Sequence, residues 1–370
     1  MKMRQKLDYT DLKILEGLGT YGPRNISQVA RKLGMPIRMV SRRIKRMRSQ
    51  NLLWLHTNIY HTNLGLRKAV VIAEATPGYE KLLSNCLKAN DFWIYTTRCY
   101  GRLEGFLGIY TIPQNHCNDF KDFLAKLREL EVAQNTHISW STCFRKVNPT
   151  TNWFNPKSQE WVFPWETWIE EISAQETGLP LTLQDPEEFP TKGDYVDIFI
   201  LKEMEKDATI NFSDIAKMLG MTLQGVKYHY YEHVVKRGLL ESFEVEAFLY
   251  DKTVSDIYFF IFKFPDITKM AKFARSLLDK PFVFFLGKIL GQPGMVCQLY
   301  LPKKEFKNFK DSLSTLIRRG FLQSYDYVIQ HSEEWSRQTI SYEFFENETW
   351  IYNHEKHIRT LEELVEKYLL

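Results

Sequence analysis

A segment that begins near Pro36 concentrates cationic side chains on one face. At about 100° per residue, Arg38, Arg42 and Lys45 project from the same side of a helix, together with Ser49. Arg and Lys pair with phosphates, and Arg can also make two hydrogen bonds to guanine in the major groove. The segment therefore predicts a DNA-binding helix. The residues predicted to contact DNA are Arg38, Ser41, Arg42, Arg43, Lys45, Arg46 and Ser49.

The sequence shows no pattern typical of a metal site or of catalysis. His229 and His233 are the only histidines spaced four residues apart, and no third ligand is evident beside them. The five cysteines have no CxxC spacing. A phosphate-binding glycine loop, an HExxH motif and a nucleophile elbow are all absent from the sequence. We therefore expect no metal, no cofactor and no enzymatic activity.

The cationic segment is preceded by the elements that would position it. An apolar stripe over 7–18 ends at Gly19, Ser27 can cap a second helix, and Gly34 ends that helix. Pro36 suits the first turn of a third helix, whose buried stripe would be Val40, Ile44 and Met47. These features predict a helix-turn-helix, and the segment from Leu52 to Tyr60 predicts a β-hairpin wing.

Four blocks of the sequence recur in the same order. Residues 8–15 and 27–35 return 186 positions later, 120–127 return after 189, and 166–169 return after 182. Such a long period indicates tandem duplication of a complete unit rather than a solenoid repeat. One chain is then expected to form a pseudo-dimer.

The second helix-turn-helix differs from the first in charge. Residues 1–56 carry 13 Lys/Arg against 3 Asp/Glu, a net charge of +10. The matching residues 193–243 carry 6 against 8, a net charge of −2. Its third helix, predicted over 222–236, is more aromatic. The residues that could contact either DNA or protein there are Gln224, Lys227, Tyr228 and Tyr231.

A small α/β domain is predicted to follow each helix-turn-helix. Residues 68–141 and 255–329 both show the order βαββαβ, which is typical of a ferredoxin-like arrangement. Both helices of such a unit cover one sheet face, so the other face must find a partner. We expect the open faces of the two units to pack together. The predicted fold class is α+β, with two tandem copies of a winged helix-turn-helix and a ferredoxin-like, RAM-like domain.

With its helix-turn-helix at 26–47 and the α/β domain that follows, the chain resembles the Lrp/AsnC family of prokaryotic transcription regulators, in an archaeal-like form. The resemblance covers 7–145 and, more weakly, 194–330. It implies a regulator that binds double-stranded DNA and a homodimer of the pseudo-dimeric chain. It also implies a small-molecule effector near a glycine turn, here Gly101 and Glu104. One alternative is a chromatin-type, sequence-tolerant DNA binder. Another is an enzyme, because sirohaem decarboxylases also resemble this family and work as two related subunits.

The predicted domains follow from these patterns. They are a basic winged helix-turn-helix (1–62), a RAM-like domain (63–145), an aromatic extension and linker (146–192), a second winged helix-turn-helix (193–247), a second RAM-like domain (248–331), and an aromatic extension with a C-terminal helix (332–370). No apolar run is long enough to span a membrane, and the charged first residues do not resemble a secretion signal. We expect a cytoplasmic, nucleoid-associated protein that does not bind membranes.

Overall fold

The computed structural model describes residues 7–370. Residues 1–6, which were predicted to open the first domain, lie outside the described residues. The helices of the N-terminal half are α1 (Tyr9–Tyr21), α2 (Ile26–Lys32), α3 (Ile37–Ser49), α4 (Glu80–Leu87), α5 (Cys117–Glu129) and α6 (Trp165–Ala174). Its strands are β1 (Leu53–Ile59), β2 (Leu66–Ala75), β3 (Trp93–Gly101), β4 (Gly105–Pro113), β5 (Ala133–Ser141), β6 (Arg145–Lys146), β7 (Phe154–Asn155) and β8 (Glu160–Trp161).

The C-terminal half, residues 193–370, contains a further set of elements. Its helices are α7 (Tyr195–Lys206), α8 (Phe212–Leu219), α9 (Leu223–Tyr228), α10 (Ile267–Leu277), α11 (Lys303–Arg318) and α12 (His354–Leu369). A π-helical segment, His229–Val235, continues directly from α9. The strands are β9 (Leu240–Ala247), β10 (Ser255–Lys263), β11 (Val283–Ile289), β12 (Gly294–Pro302), β13 (Ser324–Arg337), β14 (Phe345–Glu346) and β15 (Thr349–Trp350).

Local sequence chemistry explains where the first three helices begin and end. Asp8 and Asp11 form a capping box: the Asp8 carboxylate accepts from the Asp11 N–H at 2.8 Å, and Asp11 accepts from the Asp8 N–H at 3.2 Å. Gly34 has φ +64°, a conformation that favours glycine, and it makes the turn after α2. Pro36 then precedes α3.

The predicted β-hairpin wing is wrong. β1 does not fold back on a neighbouring strand of its own half. It pairs antiparallel with β9 of the C-terminal half, from Leu53 opposite Ala247 to Ile59 opposite Leu240. Each strand alone would leave a row of unpaired backbone groups, and pairing across the halves satisfies one edge of both strands. A two-stranded sheet therefore joins the N-terminal helix-turn-helix to the C-terminal half.

The eight long strands of the two α/β stretches form one closed antiparallel sheet. The order is β12-β10-β13-β3-β4-β2-β5-β11, and β11 also pairs with β12, which completes the ring. The halves meet at two seams, β13 with β3 and β5 with β11. The second seam is short, since only Ser141 at the end of β5 lies opposite Ile289 of β11.

The interior of this barrel contains an apolar cluster that is lined from both halves. Val70, Leu107 and Ile109 from the N-terminal half pack with Phe259 and Val296 from the C-terminal half, all at most 4% exposed. At roughly 25 cal/mol per Å² of apolar surface removed from water, this shared interior is a main source of stability.

Each aromatic extension packs on the α/β elements of the other half. Trp168 of α6 is fully buried, with its ring centroid 5.9 Å from those of Phe273 and Phe309. In the opposite direction, Tyr352 lies 5.5 Å from Phe92 and accepts a hydrogen bond from the Asn90 amide at 2.8 Å. Each extension thus packs across the boundary between the halves, and we call each of these two sets of contacts a clamp.

Residues 175–193, between the halves, are also fixed by contacts. Leu183 is fully buried, and the Asp185 carboxylate lies 2.6 Å from the Lys288 ammonium, which is itself almost fully buried. Among residues 7–370, no helix combines the length and the apolar character that crossing a membrane requires.

A chain that ends at Glu171 should not behave as a soluble monomer. It would lack β9, β13 and β11, which pair with β1, β3 and β5 across the halves. It would also expose the barrel-lining face and Trp168. We expect this fragment to dimerise or aggregate in size-exclusion chromatography with light scattering. The full-length chain at the same concentration is the reference. A monodisperse monomeric fragment would contradict the structural role of the seams.

Candidate nucleic-acid interface

The orientation of α3 is set by its apolar stripe. Val40 and Met47 are fully buried and Ile44 is 6% exposed. This stripe packs with α1 and α2, so the opposite side of the helix faces solvent. Five of the predicted contact residues are exposed there: Arg38, Ser41, Arg42, Lys45 and Ser49.

Three of these side chains form a free cationic face. Among residues 7–370, Arg38, Arg42 and Lys45 are in no ion pair and make no side-chain hydrogen bond. Ser49 donates its hydroxyl to the Arg46 carbonyl at 2.9 Å and retains its lone pairs. Unpaired, exposed cations lose little when they bind an anion, because they have no protein partner to give up.

Two of the predicted contacts must be corrected. Arg43 does not extend into solvent: its guanidinium lies 2.8 Å from a carboxylate oxygen of Asp8 and 2.8 Å from one of Asp11. Arg46 pairs with the same fully buried Asp11. Hydrogen bonding to Asp8 raises the pKa of Arg43 above its ordinary value. These two arginines neutralise the buried Asp11 and tie α3 to the start of α1, so they are structural.

Two other arginines fix the first unit against the second. Arg48 hydrogen-bonds the Thr209 hydroxyl at 3.0 Å and pairs with Asp207. Arg24 donates to the carbonyls of Ala208 and Ile210 at 2.8 and 3.0 Å. Together with the β1–β9 sheet, these contacts hold the N-terminal helix-turn-helix against the C-terminal half.

The sequence-based reasoning missed two cations on α2. Arg31 and Lys32 lie in its last turn, and both are exposed. The sequence could have indicated them, because both lie just before Gly34, at the predicted end of the second helix. These two cations are additional to the free face of α3, which we define as Arg38, Arg42 and Lys45.

The helices α7, α8 and α9, with the π-helical segment, form what we call the C-terminal unit, which presents a different surface. Gln224 and Lys227 are exposed on α9, and Tyr228 and Tyr231 are 58% and 54% exposed. The third helix predicted over 222–236 is present, but it turns π-helical at His229. Lys227 is the only cation among the four residues predicted to contact DNA or protein there.

The glycine turn predicted to hold an effector lies where the two halves meet. Gly101 has φ +120° and stands opposite Val328 of β13. Next to it, Arg102 pairs with Asp326 across the seam. The Glu104 carboxylate lies 4.0 Å from the Arg98 guanidinium. The turn thus stabilises a contact between the halves, and effector binding there stays a prediction.

Comparison with known proteins supports the helix-turn-helix directly. Residues 7–53 match the family model described as winged helix-turn-helix DNA-binding. No curated protein matches the chain by sequence. Structures of AsnC-type regulators match over part of the chain. AsnC from E. coli has 15% identity and a TM-score of 0.28, and the match covers 40% of this chain and 98% of that one.

The fold of almost the whole chain is similar to that of an enzyme. The siroheme decarboxylase NirDL has 12% identity and a TM-score of 0.50, and the match covers 97% of this chain and 99% of that one. Its co-complex with an iron-uroporphyrin III analogue has a TM-score of 0.52, also at 12% identity, covering 96% and 98%.

This match overturns the prediction that the chain is not an enzyme. That prediction rested on the absence of local catalytic motifs from the sequence. A match between folds does not depend on such motifs. Here the matching fold, over nearly the full length of both chains, is that of an enzyme. At 12% identity, what the two chains share is the fold.

Proposed function

We propose that the chain binds duplex DNA through the free face of α3. The observation that carries the proposal is that the cations of α3 fall into two groups, one paired with carboxylates and one unpaired. Arg43 and Arg46 neutralise the buried Asp11, while Arg38, Arg42 and Lys45 stay exposed and unpaired within residues 7–370. Such a face supplies phosphate contacts and, through Arg, readout of guanine in the major groove.

The proposed regulator is a pseudo-dimer of two tandem units of unequal DNA affinity. The repeated sequence blocks and the two seams of the closed sheet support this proposal. Because the C-terminal unit offers Tyr228 and Tyr231 where the N-terminal unit offers cations, we assign DNA binding mainly to α3. The tyrosines provide large, rigid contact area suited to a protein partner.

Titration of the full-length chain with a labelled duplex over a range of salt concentrations tests the proposal. Binding should weaken steeply as salt rises, since each neutralised phosphate releases counterions. A defined footprint on a few genomic fragments supports a gene regulator. Uniform protection of any duplex supports the sequence-tolerant, chromatin-type alternative. The absence of measurable binding at low salt rejects both.

A second candidate function is decarboxylation of a tetrapyrrole. The observation that favours it is the match over nearly the full length to siroheme decarboxylase NirDL, including its complex with an iron-uroporphyrin III analogue. The aromatic-rich extensions and the fused halves are compatible with a single-chain form of such an enzyme.

If the second candidate is correct, the purified chain should bind sirohaem or iron-uroporphyrin III. We expect a saturable shift of the Soret band near one equivalent per chain. Incubation with sirohaem should yield products lighter by the mass of CO2, as detected by mass spectrometry. Lysozyme, which has no tetrapyrrole site, controls for unspecific binding at the same concentration. A linear absorbance increase, without saturation and without product, would reject tetrapyrrole chemistry.

A further inference from the structure

Four potential metal ligands converge in the C-terminal unit. Asp194 and Asp197 lie at the start of α7, and His229 and His233 lie on the π-helical segment. One ligand atom from each residue falls within 4.8 Å of all the others. The expectation of no metal site assumed that the histidine pair had no third ligand, and the fold supplies two.

The capping box of α7 orients the two carboxylates. Asp194 Oδ1 accepts from the Asp197 N–H, and Asp197 Oδ2 accepts from the Asp194 N–H, both at 3.0 Å. Each carboxylate therefore has one oxygen occupied by the helix cap. The other oxygens, Asp194 Oδ2 and Asp197 Oδ1, face the two imidazoles.

Both imidazoles point the same nitrogen at these oxygens. His229 Nδ1 lies 2.8 Å from Asp197 Oδ1 and 3.5 Å from Asp194 Oδ2. His233 Nδ1 lies 3.1 and 3.5 Å from the same two oxygens. Tetrahedral Zn²⁺, with bonds of about 2.0–2.2 Å, separates its ligand atoms by about 3.3–3.6 Å. The four nitrogen–oxygen spacings lie within about half an ångström of this range.

The π-helical backbone is what brings the second histidine into the cluster. Along the sequence, His229 is 186 residues after Arg43, while the residue 186 before His233 is Met47, which is fully buried. The wider turn of the π-helix rotates His233 out of that apolar position and towards Asp197. Such π-helical turns are frequent at functional sites.

The equivalent carboxylates of the N-terminal unit have a different set of partners. There, Asp8 and Asp11 are neutralised by Arg43 and Arg46, so the formal charges cancel. In the C-terminal unit, the two carboxylates face two imidazoles in place of the guanidinium groups, which carry a permanent charge. Asp197 is fully buried, and a buried charge needs a counter-charge. A divalent cation restores the balance.

We propose that Asp194, Asp197, His229 and His233 bind one divalent transition-metal ion, with Zn²⁺ the best fit. Two imidazole nitrogens and two carboxylate oxygens are ordinary zinc ligands. The four ligands close the coordination shell, so the site is structural rather than catalytic. It links the start of α7 to the π-helical segment, as Arg43 links α1 to α3 in the N-terminal unit.

The test is titration of the chelator-treated, full-length chain with Zn²⁺ by calorimetry, together with Co²⁺ as a spectroscopic probe. We expect one equivalent bound, a rise in Tm, and the strong visible absorption of four-coordinate Co²⁺. Loss of groups that only support a ligand costs 10–100-fold in affinity, so loss of a direct ligand should cost at least about 100-fold.

The decisive variant is His229→Arg. It removes a ligand but supplies the cation that the N-terminal unit uses, so it should fold without metal, bind Zn²⁺ at least about 100-fold more weakly, and show no rise in Tm. His137→Arg, at an exposed histidine outside the cluster, should bind as wild type does. His233→Gln serves as a second ligand variant if His229→Arg misfolds.

Two results would overturn the proposal: no saturable one-equivalent binding by the wild-type chain, or unchanged affinity in both ligand variants. Either result would mean that the contacts between the imidazoles and the carboxylates hold the cluster together without a metal ion. Binding of DNA or tetrapyrrole is not used as a readout, so the result is independent of the proposed functions.

Discussion

Replacement of Arg38, Arg42 and Lys45 by alanine should abolish most of the affinity for duplex DNA at physiological salt. Each of these cations is exposed and unpaired within residues 7–370, so each can neutralise one phosphate. Three lost contacts should reduce the slope of log K against log salt by about 2.7, at about 0.9 per phosphate. When salt rises fourfold, the affinity of the wild-type chain should therefore fall by a factor about 40 times larger than that of the variant.

The matched control removes the same number of charges from a distant helix. Lys304, Lys307 and Arg318 are exposed on α11, on the outside of the barrel, and their replacement by alanine should leave the salt slope unchanged. Fluorescence anisotropy at several salt concentrations measures both variants. Equal losses in the two triple variants would show that only net charge matters. Wild-type binding by the α3 variant would refute the proposed interface.

Replacement of Arg43 is unsuitable as a probe of DNA contact. Its guanidinium bridges Asp8 and the fully buried Asp11. Removing one partner of a buried ion pair leaves an uncompensated charge, which is strongly destabilising. A loss of DNA binding in such a variant would therefore report unfolding of the helix-turn-helix.

Replacement of Trp168 by alanine should destabilise the chain by about 3–5 kcal/mol, the usual cost of removing a large buried aromatic side chain. The ring is fully buried between Phe273 and Phe309, and its indole N–H donates to the Ser276 hydroxyl at 3.2 Å. Since Trp168 belongs to the N-terminal half and its partners to the C-terminal half, the loss should weaken the attachment of the halves. Urea unfolding followed by far-UV circular dichroism measures the effect.

Trp335 provides the control for this experiment. It is a tryptophan of the same chain, but its side chain is 54% exposed. Its replacement by alanine should cost less than about 1 kcal/mol, as for most surface positions. A Trp168→Phe variant should fall between the two, because it keeps a ring and loses the hydrogen bond. Similar effects of Trp168→Ala and Trp335→Ala would contradict the clamp.

Periodicity and local chemistry were enough to predict the helix-turn-helix from the sequence. Val40, Ile44 and Met47 are buried as their helical spacing requires. The spacing of strands and helices also predicted the βαββαβ order, which the structure contains in both α/β stretches. These features depend on residues within one or two turns of each other, and such contacts are encoded by the sequence pattern.

The partner of each side chain and each strand was decided only by the tertiary structure. Arg43 and Arg42 are adjacent in sequence and equally cationic, yet one meets Asp8 and Asp11 and the other faces solvent. The same limit hid the pairing of β1 with β9 and the approach of Asp197 to His229. Such contacts join residues more than thirty positions apart, and they are set by how whole helices and sheets pack. No local pattern in the sequence records that packing, because the free energy that selects it is the burial of surfaces contributed by both halves at once.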